Sequence, residues 1–127
     1  MFFDTHNHSQ FSFDGGKTTV EKSALAAARK GLGGICFTDH CDFYVPRMKE
    51  DFEPVVCEVF DVETQQAEID RVNGLVSDGA FGKEIPRKFK VFKGIELGLG
   101  EKNHEQIREH LSKHKFDQII ASVHYLE

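Results

Sequence analysis

Four of the seven histidines in this chain stand in positions where imidazoles can act together: His6-x-His8 near the start, His40 after Thr38-Asp39, and His124 after Ser122-Val123. Glu96, after Gly94-Ile95, completes the pattern. Neutral imidazoles and carboxylates are the usual ligands of zinc, manganese and iron, and a mixed nitrogen and oxygen set without thiolate suits a hydrolytic site with open coordination positions. In an extended segment His6 and His8 project to the same side, because side chains alternate with period two. The two oxygens of Glu96 can serve two cations at once. Asp14 lies six residues past His8, and although Asp14-Gly15-Gly16 is also a good turn, its carboxylate is added to the set. Any one such histidine is more often a packing residue; the coincidence of His6, His8, His40, Glu96 and His124 is what identifies a metal set. Asp4 and Asp39, next to the ligands in sequence, are expected to orient them or the strand ends from outside the coordination sphere.

These residues converge only if particular elements carry them. A short strand spans Phe2 to His6, and a helix from about Thr19 to Gly31 follows, capped by Thr18 or Thr19 and stopped by Gly31-Leu32-Gly33-Gly34. The β-prone run Gly34-Ile35-Cys36-Phe37-Thr38 leads into Asp39-His40. After an irregular stretch from Cys41 to Pro54, the period of Val62, Ile69, Val72 and Val76 predicts a helix over Val59 to Val76. A strand over Lys90 to Leu97, a helix over Asn103 to Lys113 and a strand over Gln118 to Val123 complete a βαβαβαβ series. Such a series predicts an α/β fold with parallel strands joined by right-handed crossovers. Every member of the metal set except Asp14 then sits at or just past the C-terminal end of a strand, the face on which parallel α/β folds build their sites.

The remaining chemistry-bearing residues read as structural. His110 and His114 are four apart on a predicted helix, but nothing between them offers a general base, and His104 falls in the first turn of that helix. Arg47, in the long loop, is the one weak candidate for meeting a phosphate. Cys36, Cys41 and Cys57 form neither a C-x-x-C nor an even framework, so Cys36 is assigned to strand core and the other two are read as free thiols. The net charge of −5 disfavours binding to a nucleic-acid backbone. No apolar run approaches the roughly 20 residues that span a bilayer, and the chain opens without a basic and apolar leader, so a cytoplasmic location is expected.

Asp4-Thr5-His6-Asn7-His8-Ser9, Thr38-Asp39-His40, Gly94-Ile95-Glu96 and Ser122-Val123-His124 resemble, in order and spacing, successive motifs of the PHP (polymerase and histidinol phosphatase) family of metal-dependent phosphoesterases. The resemblance covers essentially the whole chain. It implies a distorted (β/α)7 barrel, of which residues 1–127 would form the N-terminal half, and up to three divalent metals: zinc, manganese or iron. His6 and His8 would bind the first, Glu96 would bridge the first and second, His124 would bind the second, and His40 with Asp14 the third. Thr38-Asp39-His40-Cys41-Asp42-Phe43, with its aromatic after the second motif, is similar to the histidinol-phosphatase branch. That branch implies hydrolysis of L-histidinol phosphate to histidinol and phosphate in histidine biosynthesis, by in-line attack of a metal-bound hydroxide without a side-chain nucleophile. Two other readings are a phosphoesterase acting on nucleotides or nucleic-acid ends, and a catalytically inactive PHP-like module. Family members supply further ligands downstream, a histidine and a late Asp-x-His, and these have no counterpart in residues 1–127. A half-barrel has open edges, so either a C-terminal half or a second copy is expected to cover them.

Overall fold

The computed structural model describes residues 1–43, 58–100 and 103–124. Its elements run β1 (Phe3–Asn7), α1 (Val20–Arg29), β2 (Gly34–Asp42), β3 (Glu58–Val59), α2 (Val62–Ser77), β4 (Lys90–Gly98), α3 (His104–Lys113) and β5 (Gln118–Ser122). The sheet order is β1-β2-β4-β5, parallel throughout, with β3 added antiparallel to β2. The expected α/β alternation is thus present as an open half-barrel with, among the described residues, three helices. Among the described residues, β1 and β5 each pair with a single strand.

Local chemistry sets the helix limits. Thr19 caps α1, its hydroxyl accepting from Lys22 N at 3.2 Å, and Val20, Ala24 and Ala27 form the buried stripe. Beyond it Gly31 turns at φ +80°, a conformation that glycine adopts without a Cβ penalty. The second helix starts three residues later than its apolar period predicts. Asp61 caps it by accepting from Thr64 N at 3.0 Å, while Glu58 and Val59 pair with Asp42 and Cys41 in the sheet. Val59 is therefore a strand residue, since a cap and a ladder together outcompete helix propensity. The second strand also continues beyond Thr38 as far as Asp42, which puts Asp39, His40 and Cys41 within regular pairing to β4.

Two apolar clusters hold the helices to the sheet. Ile35, Phe37 and Val91 meet Val20, Ala24, Ile69, Val72 and Val76 in one; Cys41, Ile95 and Leu97 meet Phe60, Val62 and Ile107 in the other. Cys36 and Cys41 are both buried, which assigns Cys41 to core packing alongside Cys36; Cys57 lies outside the described residues. Burial, with Asp117 nearby, pushes the Cys36 thiol up to about 12, as expected of an inert core thiol. Asn73 ties α2 to the sheet edge-on, donating to Val91 O at 2.8 Å and accepting from Val91 N at 2.9 Å. Among the described residues no helix is long and apolar enough to cross a membrane.

Candidate metal centre

The centre is assembled at the C-terminal ends of β1, β2, β4 and β5, and register does much of the work. His40 on β2 lies directly beside Glu96 on β4, and Glu96 beside Ile120 on β5. The first strand loses regular register between Asp4 and Asn7, so its end and the loop after it are free to turn His6 and His8 toward Glu96. Glu96 Oε2 then lies 3.0 Å from His6 Nε2 and 2.8 Å from His8 Nε2, while Oε1 lies 3.0 Å from His124 Nε2 and accepts from Ser122 Oγ at 3.0 Å. Three imidazoles therefore converge on one buried carboxylate from two sides.

Asp14 is delivered by a run of tight turns after β1. Ser12 N donates to Ser9 O and Gly15 N to Ser12 O, both at 3.1 Å. A Cβ at Gly15 would collide with the Ser9 carbonyl, so only glycine lets the loop close this tightly. Ser12 Oγ donates to Asp14 at 2.7 Å and accepts from His40 N at 3.3 Å, tying the loop to β2. Asp14 then meets His8 Nδ1 at 2.9 Å and His40 Nε2 at 3.0 Å. His8 is consequently shared: one ring nitrogen faces Glu96, the other Asp14.

Electrostatics follow from this crowding. Burial pushes the Glu96 carboxyl up, but its bonds to His124, His6, His8 and Ser122 outweigh that and hold it at about 2. Burial opposes ionisation of Asp14 as well, and Ser12, His8 and His40 bring its pKa below the usual carboxylate value. For His124, burial favours the neutral ring while Asp42 and Glu96 more than reverse it, raising its pKa. Burial and Asp42 push the Glu58 carboxyl up, with His40 pulling it back.

Among the described residues the donor atoms form three groups, each within 4.8 Å: His6 with His8 and Glu96, His8 with Asp14 and His40, and His40 with Glu96 and His124. The set fits divalent cations. Its donors are imidazole nitrogens and carboxylate oxygens, and His40 Nδ1 is buried with no hydrogen-bond partner, 3.6 Å from an Asp42 oxygen and 3.8 Å from a Glu96 oxygen. A buried ring nitrogen left facing carboxylates at those distances is satisfied by a cation between them.

All six residues of the expected metal set, His6, His8, Asp14, His40, Glu96 and His124, are thus brought together. Of the two carboxylates expected to orient ligands, Asp4 is exposed and accepts from the His6 backbone N–H at 3.4 Å. Asp39 is fully buried and accepts from the Ser9 backbone N–H, from Ser9 Oγ at 2.6 Å and from Gln65 Nε2 at 2.7 Å, so it anchors the loop after β1 and fastens α2 to it. Arg47 lies outside the described residues. His110 and His114 stand with ring centroids 5.0 Å apart beside Phe43 and Phe116 and belong to none of the three donor groups, and His104 is exposed at the start of α3.

Three contributors escaped the sequence reading. Asp42 holds His124 Nδ1 at 2.8 and 3.0 Å, so that the other ring nitrogen faces Glu96, the way a carboxylate fixes an imidazole that is to bind a cation. Its spacing, two residues past His40 on one strand, was the available signal. Gln65 interrupts the apolar stripe of α2 and is buried against Asp39. Gly98 sits where a Cβ would strike the Asp42 carboxylate and lie 3.3 Å from His124 Nδ1. Gly98→Ala is therefore expected to leave the chain folded while displacing Asp42 and His124. Calorimetric titration with manganese should show affinity lower by roughly 10- to 100-fold, the range of losses when a ligand's outer partner is disturbed; unchanged affinity would count against this role.

The sequence profile of the PHP domain family matches residues 4–127. A probable histidinol-phosphatase of Clostridium acetobutylicum is 33% identical over 126 residues, covering 99% of this chain and 40% of that protein. A histidinol-phosphatase of Lactococcus lactis subsp. lactis is 35% identical over 121 residues, covering 95% of this chain and 38% of its own length. Among solved structures, the crystal structure of histidinol phosphate phosphatase from Lactococcus lactis, complexed with zinc, L-histidinol and phosphate, superposes with a TM-score of 0.76 at 28% identity, over 98% of this chain and 40% of that one. The chain spans about two fifths of the length of the curated relatives it matches.

Proposed function

The chain belongs to the PHP domain family, and from that membership we propose that it carries the N-terminal metal-binding part of a phosphomonoesterase that hydrolyses L-histidinol phosphate to histidinol and phosphate. The observation that carries this reading is the set of three donor groups sharing His8, His40 and Glu96, a geometry suited to adjacent cations. The Lactococcus relative, solved with zinc and both products of that reaction, supports the same substrate.

In this reading His6, His8 and Glu96 would hold one cation, His8, Asp14 and His40 a second, and His40, Glu96 and His124 a third, with zinc, manganese or iron as candidates. Bound there, divalent cations neutralise phosphoryl oxygens and acidify water. The protein's own groups prepare that chemistry. Glu96, with a pKa of about 2, remains ionised at neutral pH and supplies fixed negative charge between the imidazoles. Asp42 orients His124 from behind, and Asp39 and Ser12 hold the His8 to Asp14 loop in place. The scheme assigns no described serine, cysteine or lysine a role as nucleophile.

Phosphate release from L-histidinol phosphate by the manganese-loaded protein tests the proposal. Hydrolysis should depend on the metal and vanish with EDTA. A loaded protein that spares L-histidinol phosphate while cleaving nucleotides would support the nucleotide reading instead; one that cleaves neither with the family's downstream histidine and Asp-x-His present would support an inactive module.

A further inference from the structure

Among the described residues, Glu58 is a charged residue at the rim of the centre that the metal scheme does not use. It opens β3, paired with Asp42, and its Oε2 is buried with no hydrogen-bond partner. Leaving a buried carboxylate oxygen unpaired is destabilising, and such a group in a native fold calls for an explanation. Its surroundings supply one. Glu58 lines a cavity of about 340 Å³ together with Gln10, Phe11, Phe13, Phe60 and His40. Three of those walls are aromatic, and among the described residues no lysine or arginine lines the cavity to neutralise the carboxylate. Phe13 is 63% exposed, with its ring centroid 5.0 Å from that of His40.

His40 belongs both to two of the donor groups and to this cavity. A phosphate ester whose phosphoryl group lies at the centre would therefore direct its alcohol portion past His40 and between Phe13 and Glu58. Aromatic faces attract cations, and a carboxylate with one oxygen withdrawn from water attracts them more strongly. We propose that Glu58 and Phe13 form a subsite for the ammonium group of a positively charged alcohol portion, so that the centre selects phosphate esters of amino alcohols over those of neutral alcohols. This rests on the phosphatase reading and specifies which part of the substrate the cavity recognises.

The test compares L-histidinol, which is cationic at neutral pH, with N-acetyl-L-histidinol, whose amine is neutral, by calorimetry on the manganese-loaded chain at a pH where the imidazole is uncharged. Wild type should bind L-histidinol more tightly. Glu58→Gln should weaken L-histidinol by about 10-fold or more, the usual worth of a charge-assisted bond, while changing the acetylated compound little. Phe13→Leu should weaken L-histidinol in the same sense but less, keeping the inference testable if Glu58→Gln disturbs β3. Equal binding of the two compounds to wild type, equal losses for both in Glu58→Gln, or no binding of L-histidinol would each overturn the subsite. Manganese uptake measured first on the same sample separates the two readings: a chain that takes up manganese yet treats both compounds alike loses only the subsite, whereas one that takes up none loses the phosphatase reading with it.

Discussion

Replacing Glu96 with glutamine is expected to weaken metal binding by more than roughly 100-fold, because even the outer partners of metal ligands are worth about 10- to 100-fold in affinity. Glu96 is 5% exposed, its two oxygens face opposite sides, and three imidazole nitrogens lie within 3.0 Å of them. Glutamine keeps the shape and removes the charge, and its amide NH2 turns a donor toward nitrogens that must offer lone pairs to a cation. Two of the three donor groups lose a ligand at once. The remaining group, His8 with Asp14 and His40, should retain partial binding, so calorimetric titration with manganese should show fewer sites as well as lower affinity. Since the substitution is isosteric, far-UV circular dichroism should be unchanged. Wild-type stoichiometry and affinity in Glu96→Gln would remove Glu96 from the centre.

The second large effect is on stability. Asp39→Ala should cost about 3–5 kcal/mol, the scale seen when one member of a buried charged network is deleted. Asp39 is wholly buried and accepts three hydrogen bonds: from the Ser9 backbone, the Ser9 hydroxyl and Gln65. Alanine leaves all three donors buried without an acceptor and opens a void between the loop and α2. Asp39→Asn keeps one accepting oxygen and should cost on the order of 2 kcal/mol, because its NH2 must face at least one of the same donors. Urea denaturation of the three proteins decides the matter through their midpoints at constant slope. A loss below about 1 kcal/mol in Asp39→Ala would show that the network is not a structural anchor. The same variant should also loosen His8 and Asp14, since Ser9 opens the loop that carries Asp14 and directly follows His8.

The two experiments probe different levels of one arrangement. In the proposed scheme Glu96 would act on the cations themselves, whereas Asp39 would act by holding the loop that brings His8 and Asp14 to them. A variant that lowers metal affinity without lowering stability belongs to the first kind, and Gly98→Ala is expected to behave that way. A variant that lowers both belongs to the second.

Much of this molecule is written in the order of its residues. Strands and helices alternate because apolar residues switch between runs and 3.6-residue periods, and strand ends bearing His6, His40, Glu96 and His124 must share a face once the strands are parallel. Local patterns such as Thr19 before Val20, or Gly31 after the alanine-rich stripe, fix the limits of α1 because caps depend on near neighbours. What depends on distant neighbours was not legible. Val59 reads as helix by period but is captured by the sheet through Cys41, and the pairing of Asp42 with His124 joins residues 82 positions apart. The same holds for the sharing of His8 between Glu96 and Asp14, for the burial of Gln65 against Asp39, and for the lack of a side chain at Gly98. The histidines and the glutamate, with their strand-end positions, came from the sequence by itself. Which oxygen faces which ring, and which carboxylate braces which histidine, was decided only by the tertiary structure, because those contacts are set by register across the sheet and by loop closure over it.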